Sequence, residues 1–380
     1  MGDIMFFHFV KNGDTLYKIS KQYGVPLNTL IKDNNLEEPY LLLIGECLII
    51  RDKKSKERRI ENKIINGFCY QGVSTNTLNE YLPTLTHTSI FAYRLSNDGH
   101  LLDFNSNRII NRIKEYDKQA MLTIANIKES GGFSTSLASS ILNSNEYQNN
   151  LINDLKRELK ENNYDSLCID FEYVNEDEKN LYSSFLRKVK DALPSYPLFV
   201  ALAPKNSDEQ KGLLYTAHDY YQIGKVADYV ILMTYEWGYT YGEPQAIAPL
   251  NQVKKVIRYA KTKIDNDKII MGLPNYGYDW NLPYQKNTKA DSVSNVEALK
   301  IAKKYKVEIK YDKLSQTPYF NYRSEGKEHI VHFDDACSIN QKINLMLDEN
   351  IKGLSIWTIS TYYPQLKILL DYYFDTDDEV

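Results

Sequence analysis

The chain is poor in the residues that would hold it together covalently or bind a metal. Its four cysteines, Cys47, Cys69, Cys168 and Cys337, are scattered with no Cys-x-x-Cys pair, which excludes a disulfide framework or a zinc ribbon and points to four reduced thiols. The six histidines are equally dispersed and none forms a His-Glu-x-x-His motif, so neither a metal nor another cofactor is expected. No segment approaches the roughly 18 uninterrupted apolar residues of a membrane helix. The N-terminus runs from Met1 and Gly2 into Lys11-Asn12-Gly13-Asp14 with no basic leader, long apolar core or small-residue cleavage site. Neither membrane association nor export by a signal peptide is therefore expected. A basic stripe is also missing, and the formal net charge of −4 argues against a nucleic-acid partner.

What is present is ordinary globular composition, 43% hydrophobic and 25% charged over 380 residues, enough for one large core plus a smaller unit. Tyrosine is the anomaly, with 31 against 13 Phe and 3 Trp. A phenol offers a flat apolar face with a hydrogen-bonding tip, which suits a sugar ring. A coding bias toward Asn, Lys, Ile and Tyr would give the same excess, so the signal is weak.

Three segments divide the chain. Residues 6–51 read as a small βααβ unit: a strand at 7–10, a turn at Asn12-Gly13, a helix capped by Asp14 or Thr15 with Leu16, Ile19 and Tyr23 on one face, a second helix after Pro26, and a strand at 47–50. Residues 52–63 are charged and poor in hydrophobics and read as an exposed linker or hinge. From 64 to 376 the rhythm changes. Eight short apolar runs, at 64–70, 88–93, 120–127, 166–172, 198–202, 229–235, 269–273 and 353–359, alternate with helical spacing such as 146–162, 176–192 and 250–263. That order predicts an α/β fold, a (β/α)8 barrel. The longer gap at 284–350, with strand-like pieces at 307–311 and 330–333 and a helix at 338–350, predicts an α+β insertion before the last barrel strand.

The fourth run carries the chemistry. On a strand Cys168, Asp170 and Glu172 point one way, while Leu167, Ile169 and Phe171 point the other. Carboxylates rarely enter an apolar run without a use, because an unpaired buried charge is costly. Two adjacent acids whose environments push their pKa values apart are equipment for cleaving a glycosidic bond. A strand end emerging into water is the bland alternative. In a barrel, chemistry sits where strands end, and those ends also deliver Gln71, Asn126, Met233, Tyr235, Glu236, Tyr276, Tyr278 and Trp357. Aromatic rings and acids in one barrel mouth suggest a carbohydrate cleft.

Two family resemblances follow from these residues. Gly13-Asp14-Thr15-Leu16, with Asn34-Asn35-Leu36 and the later Gly45, resembles a LysM domain. That resemblance implies binding to N-acetylglucosamine-containing glycans, with Gly13, Asp14, Thr15 and Asn34 as the matched glycan-binding positions. The fourth run, with Asp165, Asp170 and Glu172, resembles the Asp-x-x-Asp-x-Asp-x-Glu signature of glycoside hydrolase family 18, and Met233-x-Tyr235 and Trp357 match two further landmarks. The wording Asp-Phe-Glu and Met-Thr-Tyr-Glu-Trp-Gly, joined to a LysM unit, is most similar to the spore cortex-lytic N-acetylglucosaminidases. The resemblance implies a retaining, substrate-assisted glycosidase acting on peptidoglycan, as a monomer in the spore coat or cortex. Glu172 would be the acid, Asp170 the partner of the substrate acetamido N–H, Tyr235 the group that aligns the acetamido oxygen, and Trp357 the floor of the −1 sugar. Met233, Glu236, Asn126, Gln71, Tyr276 and Tyr278 would contact substrate.

The chain departs from the family pattern twice. Cys168 stands where an inner acid or amide is usual, so Asp170 must be oriented by other neighbours; a packed thiol, not a nucleophile, is expected there. Glu236 stands where many relatives have Asp. A chitinase and a non-catalytic glycan-binding protein are the alternative readings. The second would typically have lost the acid, whereas Glu172, Asp170 and Tyr235 are all present.

Overall fold

A computed structural model describes residues 5–51 and 59–376. The small N-terminal unit pairs strand β1 (Phe6–Phe9) antiparallel with β2 (Cys47–Ile50), around helices Leu16–Tyr23 and Leu27–Asp33. Thr15 caps the first helix, its side chain accepting the Lys18 N–H, and Gly24 ends it in the left-handed conformation. The larger unit is a closed barrel of eight parallel strands: β3 (Ile64–Tyr70), β4 (His87–Tyr93), β5 (Gln119–Ala125), β6 (Ser166–Asp170), β7 (Leu198–Leu202), β8 (Tyr229–Leu232), β9 (Ile269–Pro274) and a last strand, Gly353–Trp357, that closes onto β3. The strands read as near-continuous apolar runs because both of their faces are buried. Ile64, Phe68, Met121, Cys168, Phe199, Ile231 and Ile270 fill the lumen. The alternate residues of β6, Leu167 and Ile169, and Phe171 just beyond it, pack outward in the larger core under the helices.

Four strands are shorter than the apolar runs predict. The expected stretches 120–127, 166–172, 229–235 and 353–359 stop as strands at Ala125, Asp170, Leu232 and Trp357. The residues beyond leave the parallel ladder and form the loops of the barrel mouth. The insertion is also more than the two expected pieces. It is a five-stranded antiparallel sheet of β10 (Gly277–Leu282), β11 (Asp291–Val293), β12 (Lys310–Asp312), β13 (Thr317–Ser324) and β14 (Lys327–His332), in the order β11-β10-β14-β13-β12, with helix Asn295–Tyr305 packed on it. The last barrel strand is thus β15. It follows helix Ala336–Asp348, and helix Pro364–Tyr373 comes after it.

The N-terminal unit is docked on the rest of the chain. Met5, Cys47 and Ile49 belong to the barrel's own apolar core. Phe9 meets Tyr311 edge-on at 5.3 Å, Lys303 pairs with the buried Glu46 at 3.0 Å, and Ile309 N–H donates to Ile44 O at 2.9 Å. A Cβ on Gly45 would lie 1.8 Å from Ile309 O, so the glycine is required by the insertion's backbone as well as by its own φ of +83°. The charged hinge expected at 52–63 falls largely on 52–58, outside the described residues. Beyond it, Ile60 bridges to Phe374 near the C-terminus.

Candidate active site

Asp170 is the last residue of β6 and is 5% exposed, with Cys168 fully buried beneath it. Burial pushes the Asp170 carboxyl up to about 7, and its Oδ1 is buried with no hydrogen-bond partner among the described residues. Glu172 lies two residues past the strand end. Its carboxyl is raised well above the usual range, first by burial and then by the charges of Asp170 and Glu236. Burial, then Asp170, raises the Cys168 thiol well above its ordinary value, as expected of a packed thiol.

Two residues hold the chain between these acids. Asn126, fully buried just after β5, accepts the Glu172 N–H at 2.9 Å and donates to Glu172 O at 2.8 Å and Ser134 O at 3.1 Å. Its amide is therefore engaged by the backbone of Glu172 and Ser134. His218, in the loop after β7, accepts the Ala203 N–H on Nδ1 at 2.8 Å, which leaves Nε2–H to donate to Phe171 O at 2.9 Å. Burial lowers the His218 pKa to about 4, so the ring is neutral. Nothing in the spacing of the sequence had singled out His218.

Trp357, at the end of β15, is half-buried, packed edge-on by Phe91 (4.7 Å), Phe68 (5.3 Å) and Tyr70 (5.8 Å). The Tyr235 ring lies nearly parallel to it, at 6.4 Å and 20°. Tyr235 is buried, and its hydroxyl is pushed well up by burial and then by Asp170 and Glu172, which places the three groups in one electrostatic neighbourhood. Gly272 makes room for this ring: a Cβ there would lie 2.6 Å from Leu232 O and 2.7 Å from Tyr235 Cε1. Met233, just past β8, is buried beside it.

A cleft of about 380 Å³ opens beside Trp357, walled by Tyr70, Glu236, Asn275, Tyr276 and Tyr278 among others. The first strand of the insertion, β10, carries Tyr278. Its hydroxyl donates to Glu236 Oε1 at 3.0 Å, and Tyr276 donates to the same oxygen. The Glu236 side chain faces the cleft from a left-handed backbone (φ 65°), a conformation that clusters at functional sites. The protein walls raise its carboxyl, against the two phenols, which lower it. Asn275 was not foreseen: its N–H donates to Trp357 O at 2.8 Å and its amide to Thr358 O and Thr361 O, pinning the segment after Trp357. Gln71 is exposed, donates to Asn105 O at 2.8 Å, and lies outside this cleft lining. Asp165 stands at the opposite end of β6, bound to Lys114 and the Ala120 N–H, where it ties strand to helix.

In the N-terminal unit the four matched residues serve the fold. Asp14 accepts from His8 (2.8 Å) and Lys11 N–H (2.7 Å), Thr15 caps a helix, Gly13 turns the chain at φ +83°, and the buried Asn34 bonds Ile49 N–H and O and Leu30 O. Among the described residues, no cluster of His, Cys, Asp and Glu is arranged to hold a metal ion, and no helix is long and apolar enough to cross a membrane.

An eight-stranded parallel barrel that brings Asp170 and Glu172 to the end of its fourth strand, with Tyr235 and Trp357 stacked at the same mouth, is the frame of a glycoside hydrolase. The chain belongs to glycosyl hydrolases family 18, whose profile matches residues 65–361, and it carries a LysM domain, matched at residues 8–51. It is 38% identical to a cortical fragment-lytic enzyme of Bacillus anthracis, with 94% of this chain and 95% of that one aligned. It is 35% identical to the Bacillus subtilis cortical fragment-lytic enzyme, with 96% and 97% aligned. The crystal structure of the Bacillus cereus spore cortex-lytic enzyme SleL superposes with a TM-score of 0.80 at 37% identity, covering 97% of this chain and 86% of that one.

Proposed function

We propose that this family 18 enzyme is an N-acetylglucosaminidase that hydrolyses the glycan strands of peptidoglycan, with spore cortex fragments as its substrate. The observation that carries the reading is the buried pair Asp170 and Glu172 set against Tyr235 and Trp357 in one neighbourhood. The cortical fragment-lytic enzymes that align over nearly the whole chain support the choice of cortex.

In this reading the −1 sugar stacks on Trp357. Glu172, kept protonated by burial and by the Asp170 charge, gives its proton to the leaving glycosidic oxygen. The substrate's acetamido oxygen attacks the anomeric carbon from the other face, forming an oxazolinium ion. Retention then needs no enzyme nucleophile, unlike the two-carboxylate scheme. Asp170, whose buried Oδ1 has no partner among the described residues, takes the acetamido N–H and balances the positive charge. Tyr235 aligns the acetamido oxygen. Water, deprotonated by the Glu172 carboxylate, opens the ring with net retention. Met233, Glu236, Tyr276 and Tyr278 grip neighbouring groups of the sugar. Asn126 acts through the backbone, and Gln71 reaches substrate only through its loop. The LysM unit holds glycan near the barrel, and the enzyme works as a monomer in the spore coat or cortex.

The test compares wild type with Glu172→Gln on cortex fragments and, separately, on a chitin oligomer, identifying new reducing ends by mass spectrometry. Reducing N-acetylglucosamine ends from cortex, reduced on the order of 10²–10⁴-fold or more in the variant, are expected. Efficient chitin cleavage with cortex untouched would move the assignment to a chitinase, and binding without cleavage of either would make the chain a lectin.

A further inference from the structure

Strand β6 ends where its ladder fails, and the last peptide of the catalytic segment is held by side chains instead. On one side, pairing with β5 stops at Ala125–Asp170. On the other, pairing with β7 stops earlier, at Ile169–Val200. The Phe171–Glu172 peptide unit, one beyond the strand's last residue, has no strand partner for either group, yet a buried peptide must satisfy both. Its C=O receives the His218 Nε2–H at 2.9 Å, and its N–H is taken by Asn126 Oδ1 at 2.9 Å. The two side chains come from opposite neighbours, Asn126 from just after β5 and His218 from the loop after β7, and both are buried, at 0% and 1% exposure.

Each grip is itself fixed. Ala203 N–H on Nδ1 sets the imidazole tautomer so that Nε2 can only donate. The Lys205 ammonium binds His218 O, and Tyr220 OH ties Ala203 O to Lys205 N–H across the same loop. Asn126 is oriented by Ser134 O and Glu172 O. A peptide plane gripped on both edges cannot rotate, and rotation of this plane would swing the Glu172 side chain away from the leaving oxygen.

We propose that His218 and Asn126 are positioning residues for Glu172, clamping from opposite edges the Phe171–Glu172 peptide where the barrel ladder ends. The proposal rests on Glu172 being the acid. Misplacing a reacting group by about 1 Å costs on the order of 10²-fold in rate, and that loss falls on kcat because neither residue touches substrate.

The test separates the two imidazole nitrogens. H218Q keeps a donor at the depth of Nε2 and gives up the Nδ1 acceptor. H218N keeps the acceptor near Nδ1 and gives up the donor to Phe171 O. Steady-state kinetics on cortex fragments should show H218N losing kcat on the order of 10²-fold with KM little moved, and H218Q losing markedly less. N126A combined with H218N should lose less than the product of the two single losses, since both grip one peptide. Thermal melts of each variant keep folding separate from positioning. Equal losses in H218Q and H218N that track the melting temperature would overturn the clamp and leave His218 a structural residue. Full activity in E172Q would instead sink the reading of the acid itself, a result that the His218 pair cannot mimic.

Discussion

Asp170→Asn should make the protein more stable and nearly inactive, and the gain should grow with pH. In the folded state the Asp170 carboxyl is raised to about 7 by burial, against about 3.9 in an unfolded chain. Protonation therefore favours the folded state. The stability that this group contributes is fully present below about pH 4 and is lost as pH rises through about 7. Three pKa units at about 1.36 kcal/mol each set a ceiling of about 4 kcal/mol on that loss. Asparagine cannot ionise, so the variant escapes it. It also relieves Glu172 of a neighbouring charge that raises its pKa, which adds to the gain in the same direction. For a chain of 380 residues, an unfolding entropy of about 2.1 cal/mol/K per residue converts this ceiling to a rise in Tm of about 5 °C. Differential scanning calorimetry of both proteins from pH 4 to pH 8 reads the difference directly, and the cortex assay reads the loss of activity. A difference in Tm that stays flat across this range, or shrinks with pH, would refute the claim that Asp170 is held raised by burial.

Two further outcomes test the frame around the site. Gly272→Ala places a Cβ 2.6 Å from Leu232 O and 2.7 Å from Tyr235 Cε1. The Tyr235 ring must then move, and kcat should fall on the order of 10²-fold; unchanged kcat in a folded variant would show that the ring has room to spare. Removing residues 1–58 uncovers barrel surface now shielded by Met5, Cys47 and Ile49. At about 1.5–3 kcal/mol for each large apolar side chain taken out of water, urea unfolding of the isolated barrel should show a lower midpoint than the whole chain. Identical midpoints would mean that the LysM unit is merely tethered.

Much of this was legible in the sequence because it is written as local period. Eight apolar runs spaced by helical segments specify a parallel barrel, and alternation along 166–170 puts Asp170 on the same face as the lumen residue Cys168. The Gly-Asp-Thr-Leu turn and its cap specify the LysM entry in the same way. The insertion was only half visible. Strand β13 mixes Tyr319, Asn321 and Arg323 with apolar residues, and its partners are set by pairing with β14 and β12, which no local pattern reports.

The sequence by itself determined which residue types stand at the ends of the barrel strands, and so the class of chemistry open to the chain. Side-chain periodicity and turn geometry act over a few residues, and that information is complete without the rest of the molecule. The tertiary structure alone decided how those residues are held. Asn126 turns inward onto the Glu172 backbone, His218 arrives from a different loop to take Phe171 O, Tyr276 and Tyr278 reach Glu236 from the insertion, and Gly45 meets the backbone of Ile309. Each of these contacts joins segments dozens to hundreds of residues apart. Their geometry exists only once the barrel has closed and fixed the distance between neighbouring strand ends.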